Sequence, residues 1–145
     1  MKKIISISFS YEKGGAEISL KNLLKELKKR EFEIYLFTSK NLMDFYDIKG
    51  IKKIKIPFNY SMKIFKKIDG IKFINFYGIF KRIYIFIKYS FFIKKIVKKE
   101  KIKIIHINDF KGAPFMPILK ILTKSKIIWH IRDLFAFESR LKKNY

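Results

Sequence analysis

The sequence predicts an α/β fold: an open, mostly parallel sheet with helices on both faces. Three observations carry that prediction. Short β-branched runs alternate along the chain with segments of helical periodicity. The first 38 residues already spell strand, helix, strand, the order of a βαβ unit. The 145 residues, 49% apolar and 17% aromatic, suit one ordinary domain with its own core and exclude intrinsic disorder.

Lys3 to Phe9 (KIISISF) is short, β-branched and nearly all apolar, which predicts a buried strand. Ser10 to Gly14 is a polar loop, and the pair Gly14-Gly15 ends it. From Ala16 the pattern turns helical, with Leu20, Leu23, Leu24 and Leu27 at i, i+3, i+4 and i+7. Glu17 falls in the first turn and Lys28, Lys29 and Arg30 in the last, as the helix dipole favours. Glu33 to Thr38 (EIYLFT) reads as the second strand, Asn41 to Gly50 as a short helix and turn, and Ile51 to Ile56 as a third strand stopped by Pro57. Phe58 to Lys72 is the least readable segment. Ile74 to Glu100 predicts one long helix on which Lys81, Lys88, Lys95 and Lys99, spaced by seven, seven and four, form one cationic stripe. Ile102 to Ile107 is a fourth strand and Ala113 to Thr123 a helix with Pro114 and Pro117 near its start. Lys126 to Ile131 is a fifth strand, and Leu134 to Tyr145 opens another helix.

The charge balance is extreme: 34 Lys and Arg against 12 Asp and Glu give a net +22. Such a surplus favours anionic partners. Only Arg30, Arg82, Arg132 and Arg140 are arginine, and Lys, Ile, Phe, Tyr and Asn together are what an AT-rich genome tends to encode. Codon bias and selected basicity both account for the surplus. Lysines alternating with Phe, Tyr and Ile over 74–100 suit an acidic membrane face, and equally a solvated sheet-covering helix. Scarce arginine and no recognisable reading module disfavour nucleic acid. Met1-Lys2-Lys3 leads straight into a strand without a leader-like cleavage site, and the longest uncharged run of the apolar stretch Ile71 to Val97, Phe73 to Phe80, falls far short of the ~18–20 residues a bilayer span needs.

In open α/β sheets ligands bind outside the carboxyl ends of the strands. That singles out three loops: Ser10 to Ala16, Asn108 to Ala113, and Arg132 to Phe135. Gly14 and Gly15 at a helix start suit a phosphate or a sugar hydroxyl, or else simply a tight turn. The pattern is neither G-x-G-x-x-G nor a P-loop. Glu17 reads first as a helix-dipole partner. His106 reads as a hydrogen-bonded core residue, whereas Asp109, two residues past its strand, is placed to face a ligand. His130 and Arg132 share a face of a regular strand, and an imidazole beside a guanidinium suits a phosphorylated or hydroxylated substrate. An ion pair of Arg132 with Asp109 or Asp133 is the structural alternative. Two histidines without a cysteine or a dense acidic cluster predict no metal.

The segment KIISISFSYEKGGAEISLKNLLKELKKREFEIYLFT, with KIIHINDFKGAPF and KIIWHIRDL, resembles the N-terminal domain of family-4 retaining glycosyltransferases. The resemblance implies a Rossmann-like sheet, the N-terminal half of a GT-B fold. It further implies transfer of a sugar from a nucleotide-sugar, the donor co-substrate, to a lipid-linked or polysaccharide acceptor. By matched position, Gly14 and Gly15 would approach the donor phosphate or the acceptor across a cleft. His130, Arg132 and Asp133 would lie at the acceptor edge near the reacting carbon, although many members carry histidine where this chain has Arg132. The family's donor site has two glutamates eight positions apart, a spacing no glutamate pair here has. Residues 1–145 are therefore expected to be one acceptor-side domain, inactive without a donor-binding domain or subunit. Many members sit on the cytoplasmic face of the cell membrane through basic, aromatic helices of this domain. The alternative expectation is a non-catalytic basic module that docks on acidic membranes or nucleic acid.

Overall fold

The computed structural model describes residues 2–56, 65–68, 71–74, 76–109 and 112–131. In chain order they form β1 (Lys3–Ile7), α1 (Gly15–Lys29), β2 (Glu33–Thr38), a 3-10 turn (Lys40–Leu42), β3 (Lys52–Lys55), β4 (Phe65–Ile68), β5 (Ile71–Ile74), α2 (Phe76–Glu100), β6 (Ile104–Ile107), α3 (Phe115–Thr123) and β7 (Lys126–Trp129). Five strands make one sheet in the order β3-β2-β1-β6-β7, and every neighbouring pair is parallel. This is the expected Rossmann-like α/β sheet, with the strand order reversing between β1 and β6.

The elements follow the residue patterns closely. β1, β2 and β6 are buried along almost their whole length, as parallel strands covered on both faces must be, and their sequences are correspondingly apolar. Alternate residues divide between two cores. Ile4, Ile34 and Leu36 meet Leu20 and Leu24 of α1 on one face. On the other, Ile5, Ile7, Phe37, Ile105 and Ile107 meet Tyr89, Ile93 and Val97 of α2 and Phe115 and Leu119 of α3. Each such side chain contributes roughly 1.5–3 kcal/mol on burial. Phe115 joins α2 and α3 to the sheet, 4.3 Å from the Phe86 ring and stacked at 4.7 Å on Phe9.

One segment differs from the sequence reading. Part of Phe58 to Lys72 belongs to an antiparallel hairpin, β4 with β5, paired Phe65 to Ile74 and Ile68 to Ile71. The sequence between the two strands is Asp69-Gly70, a two-residue hairpin signal that the surrounding lysines obscure. The helix expected over 134–145 lies outside the described residues.

The residues that follow the three helices, Glu31, Lys101 and Lys124, all have left-handed backbone, with φ of 60°, 54° and 55°. Phe32 N–H donates to Leu27 O and Ile102 N–H to Val97 O, the closures that tie off a helix end with a left-handed residue. None of the three is the glycine that such a turn favours.

Candidate functional site

The reversal of strand order sends the loops after β1 and β6 to opposite sides of the sheet and opens a crevice between them. Asp109 bridges that crevice. Its Oδ2 accepts from Phe9 N–H at 2.6 Å and its Oδ1 from Gly112 N–H at 3.0 Å, while its backbone oxygen accepts from Trp129 Nε1 at 3.2 Å. The carboxylate placed by the sequence to face a ligand thus ties the loop after β1 to the loop after β6, and its backbone oxygen adds the end of β7. Gly112 sits so close beneath it that an added Cβ would overlap the Ile107 side chain.

The loop after β1 leads to α1, whose first residue follows the N-cap Gly14; no side chain caps this end. Gly14 has extended backbone, φ −146° and ψ −177°, which any residue can adopt. A Cβ there would press on Glu17 Oε2 at 3.1 Å, whereas one on exposed Gly15 would meet nothing within 4 Å. Gly15 is thus an open approach to the helix start. Glu17 is 5% exposed and faces back toward Gly14.

Sequence reasoning missed the most distinctive feature of this edge. Ile7 pairs with both Phe37 and Ile107, so the next residues, Ser8, Thr38 and Asn108, stand side by side across β2, β1 and β6. The ladder continues through them, with Ser8 N–H donating to Phe37 O at 2.9 Å and Asn108 N–H to Ile7 O at 3.0 Å. All three are fully buried. Ser8 Oγ, Thr38 Oγ1 and Asn108 Oδ1 have no hydrogen-bond partner, and Asn108 Nδ2 reaches Ala16 O in the first turn of α1 at 3.4 Å. Each buried oxygen without a donor costs about 1–3 kcal/mol, so the row is poised for hydroxyls or water. The signal was a polar residue closing an apolar run in three strands, but only the register brings the three together.

Behind this row, Ser6 Oγ lies 3.0 Å from His106 Nδ1, both buried, as a core histidine should be. His130 is exposed just past β7, its ring centroid 6.0 Å from that of His106. It lines a hollow of about 430 Å³ shared with Ser19 and Asn22 of α1. The structure therefore gathers Gly14, Gly15, Glu17, Asp109 and His130 at the carboxyl edge of β1, β6 and β7. Arg132 and Asp133 lie outside the described residues. Among the described residues no group of three or more His, Asp or Glu could hold a metal ion.

Lys81, Lys88, Lys95 and Lys99 are all exposed along α2. Between them stand large apolar side chains open to solvent: Tyr77, Phe80, Ile83, Tyr84, Phe91 and Phe92. Lys81 lies 6.0 Å from the Tyr77 ring and Lys88 5.9 Å from Tyr84. Among the described residues no helix is long and apolar enough to cross a membrane.

At the far edge of β2, Glu33 accepts from Lys52 Nζ at 2.6 Å and from Tyr35 Oη at 2.8 Å. These bonds hold its carboxyl down at about 2 and raise Lys52. Glu100 is likewise lowered, by Tyr35 first and Lys3 second.

The family model for Glycosyltransferase Family 4 matches residues 13–145. The chain belongs to that family. Its fold also matches the crystal structure of MurG from Acinetobacter baumannii, with a TM-score of 0.59 at 11% identity. The match covers 90% of this chain and 35% of that one, so the chain spans about a third of the length of the structure it resembles. A search of curated proteins gave no match. The Rossmann-like sheet of this Family 4 chain thus matches part of a GT-B fold.

Proposed function

We propose that this module is the acceptor-binding side of a glycosyltransferase that moves a sugar from a nucleotide-sugar to a lipid-linked or polysaccharide acceptor, working with a donor-binding domain. The observation that carries the reading is the row Ser8, Thr38 and Asn108 at the strand-order reversal, three buried oxygens without donors beside the uncapped start of α1. Hydroxyls of a sugar supply such donors, and Gly15, at the start of the helix that Asn108 reaches, is exposed with open space around it. His130, at the rim, is the candidate to exchange a proton with an acceptor hydroxyl. Saturation-transfer NMR with a lipid-linked glycan acceptor in detergent should give contact signals that Thr38→Val and Asn108→Ala abolish. A nucleotide-sugar alone should give none. Sugar transfer catalysed by these 145 residues without a donor-binding domain would refute the division of labour.

The face of α2 supports a membrane-docking role for the same module. Aromatic side chains there are amphipathic anchors, and the four lysines, at ~1 kcal/mol each near an acidic leaflet, add about 4 kcal/mol. Vesicles of phosphatidylcholine with phosphatidylglycerol should sediment the chain, and Phe80→Ser with Tyr84→Ser should release it. Equal sedimentation of wild type and double variant would overturn this role and leave the acceptor reading standing.

A further inference from the structure

A cavity of about 670 Å³ lies at the opposite, amino edge of the sheet, between the start of β1, the end of α2 and the approach to β6. Five lysines line it, Lys2, Lys3, Lys99, Lys101 and Lys103, against one carboxylate, Glu100. That carboxylate is already engaged. Lys3 Nζ lies 3.0 Å from Glu100 and 3.3 Å from Glu33, and Glu33 also holds Lys52. The side chains of Lys2, Lys99, Lys101 and Lys103 make no hydrogen bond or ion pair with any described residue.

The strand register makes this crowding unfavourable on its own. Ile4 pairs with Ile104, so one step earlier Lys3 and Lys103 stand opposite each other on strands about 4.8 Å apart. Like charges in that position repel. A helix C-terminus attracts cations and accounts for Lys98 and Lys99 in the last turn of α2. It does not account for Lys2 and Lys103, which precede strands. A second hollow of about 430 Å³ shares Lys2 and adds Arg30, beside Glu31, to the same edge.

We propose that this cavity binds a multiply charged phosphate group, with Lys2, Lys101 and Lys103 as its principal contacts. Lysine is a compact, strongly hydrated point charge suited to phosphate oxygens. The cavity falls within the ordinary range for small-ligand sites. A diphosphate neutralises the crowded cations that the described carboxylates leave unpaired. Its source is either a free oligophosphate or the phosphate headgroup of a lipid. The inference rests on this edge alone, independently of the acceptor site.

The test uses the 145-residue chain at ~0.1 M salt, where diffuse charge is well screened. Inorganic pyrophosphate is titrated calorimetrically, and sedimentation is measured with phosphatidylcholine vesicles with and without phosphatidic acid. Lys2→Gln with Lys103→Gln should weaken binding about tenfold, from two exposed charge contacts. Lys25→Gln with Lys40→Gln, remote from the cavity, should change it less than about twofold. The urea midpoint of the cavity variant should stay level or rise, because repulsion is removed. Loss of pyrophosphate binding identifies a free phosphate ligand. Loss confined to the phosphatidic acid vesicles identifies a headgroup. Binding in neither arm, or equal weakening by the remote pair, overturns the proposal.

Discussion

Asp109 separates a ligand-facing carboxylate from a structural one. Removing its side chain by Asp109→Ala orphans the amides of Phe9 and Gly112, which it now holds at 2.6 and 3.0 Å. Hydrogen bonds to a charged group contribute about 1.5–3 kcal/mol each, and the lower figure suits this half-buried site, so the loss comes to about 3 kcal/mol. Asp109→Asn keeps one acceptor and should lose about half of that. With a urea slope near 2 kcal/mol per molar, the midpoints fall by about 1.5 M and 0.75 M. The chain has a single tryptophan, and Trp129 Nε1 bonds to the Asp109 carbonyl, so its fluorescence reports this junction while far-UV circular dichroism reports the whole sheet. If Asp109→Asn leaves both midpoints within about 0.2 M of wild type yet abolishes acceptor binding, the clamp argument is wrong and the carboxylate serves the ligand.

Gly112→Ala should cost about 1–3 kcal/mol, because the new methyl meets the Ile107 side chain and the Phe9 ring; Gly15→Ala, with open space around it, should leave the melting temperature level or higher. Replacing Gly15 by tryptophan should keep the fold, by circular dichroism, while reducing acceptor binding in the NMR assay. Thr38→Val removes a buried hydroxyl that has no partner, so stability should rise by about 1 kcal/mol in urea titration even as acceptor contacts are lost. Glu33 gives an acid limb: its folded-state value near 2 lies below the usual 4.5, so its contribution is complete above about 4.5 and disappears as pH falls toward 2. Glu33→Gln should therefore lower stability by about 1 kcal/mol at pH 7 and flatten the loss between pH 4.5 and 2, measured as urea midpoints.

The first three elements were legible because each carries one unambiguous period: KIISISF has no helical face, and Leu20, Leu23, Leu24 and Leu27 have no strand face. The stripe on α2 was legible for the same reason, since heptad spacing alone places Lys81, Lys88 and Lys95 together. The β4–β5 hairpin was not, because FKKI and IKFI each put two lysines or one into a four-residue window too short to show alternation. The candidate site was legible as loops and hidden as contacts. Gly14, Asp109 and His130 follow from where strands end. That Asp109 reaches back a hundred residues to Phe9, and that Ser8, Thr38 and Asn108 lie in one row, depends on which strands are neighbours, which local sequence does not encode.

The three left-handed helix ends give the protein an unused thermal margin. A Cβ in that backbone costs roughly 1–2 kcal/mol relative to glycine, so Glu31 and Lys124 each mark a position where a single replacement could harden the fold, whereas Lys101 also lines the cationic hollow. All three lie where helices turn back into strands, far from the polar row at the carboxyl edge. A glycine at Glu31 or Lys124 would therefore leave both the polar row and the lysine-lined hollow as they are.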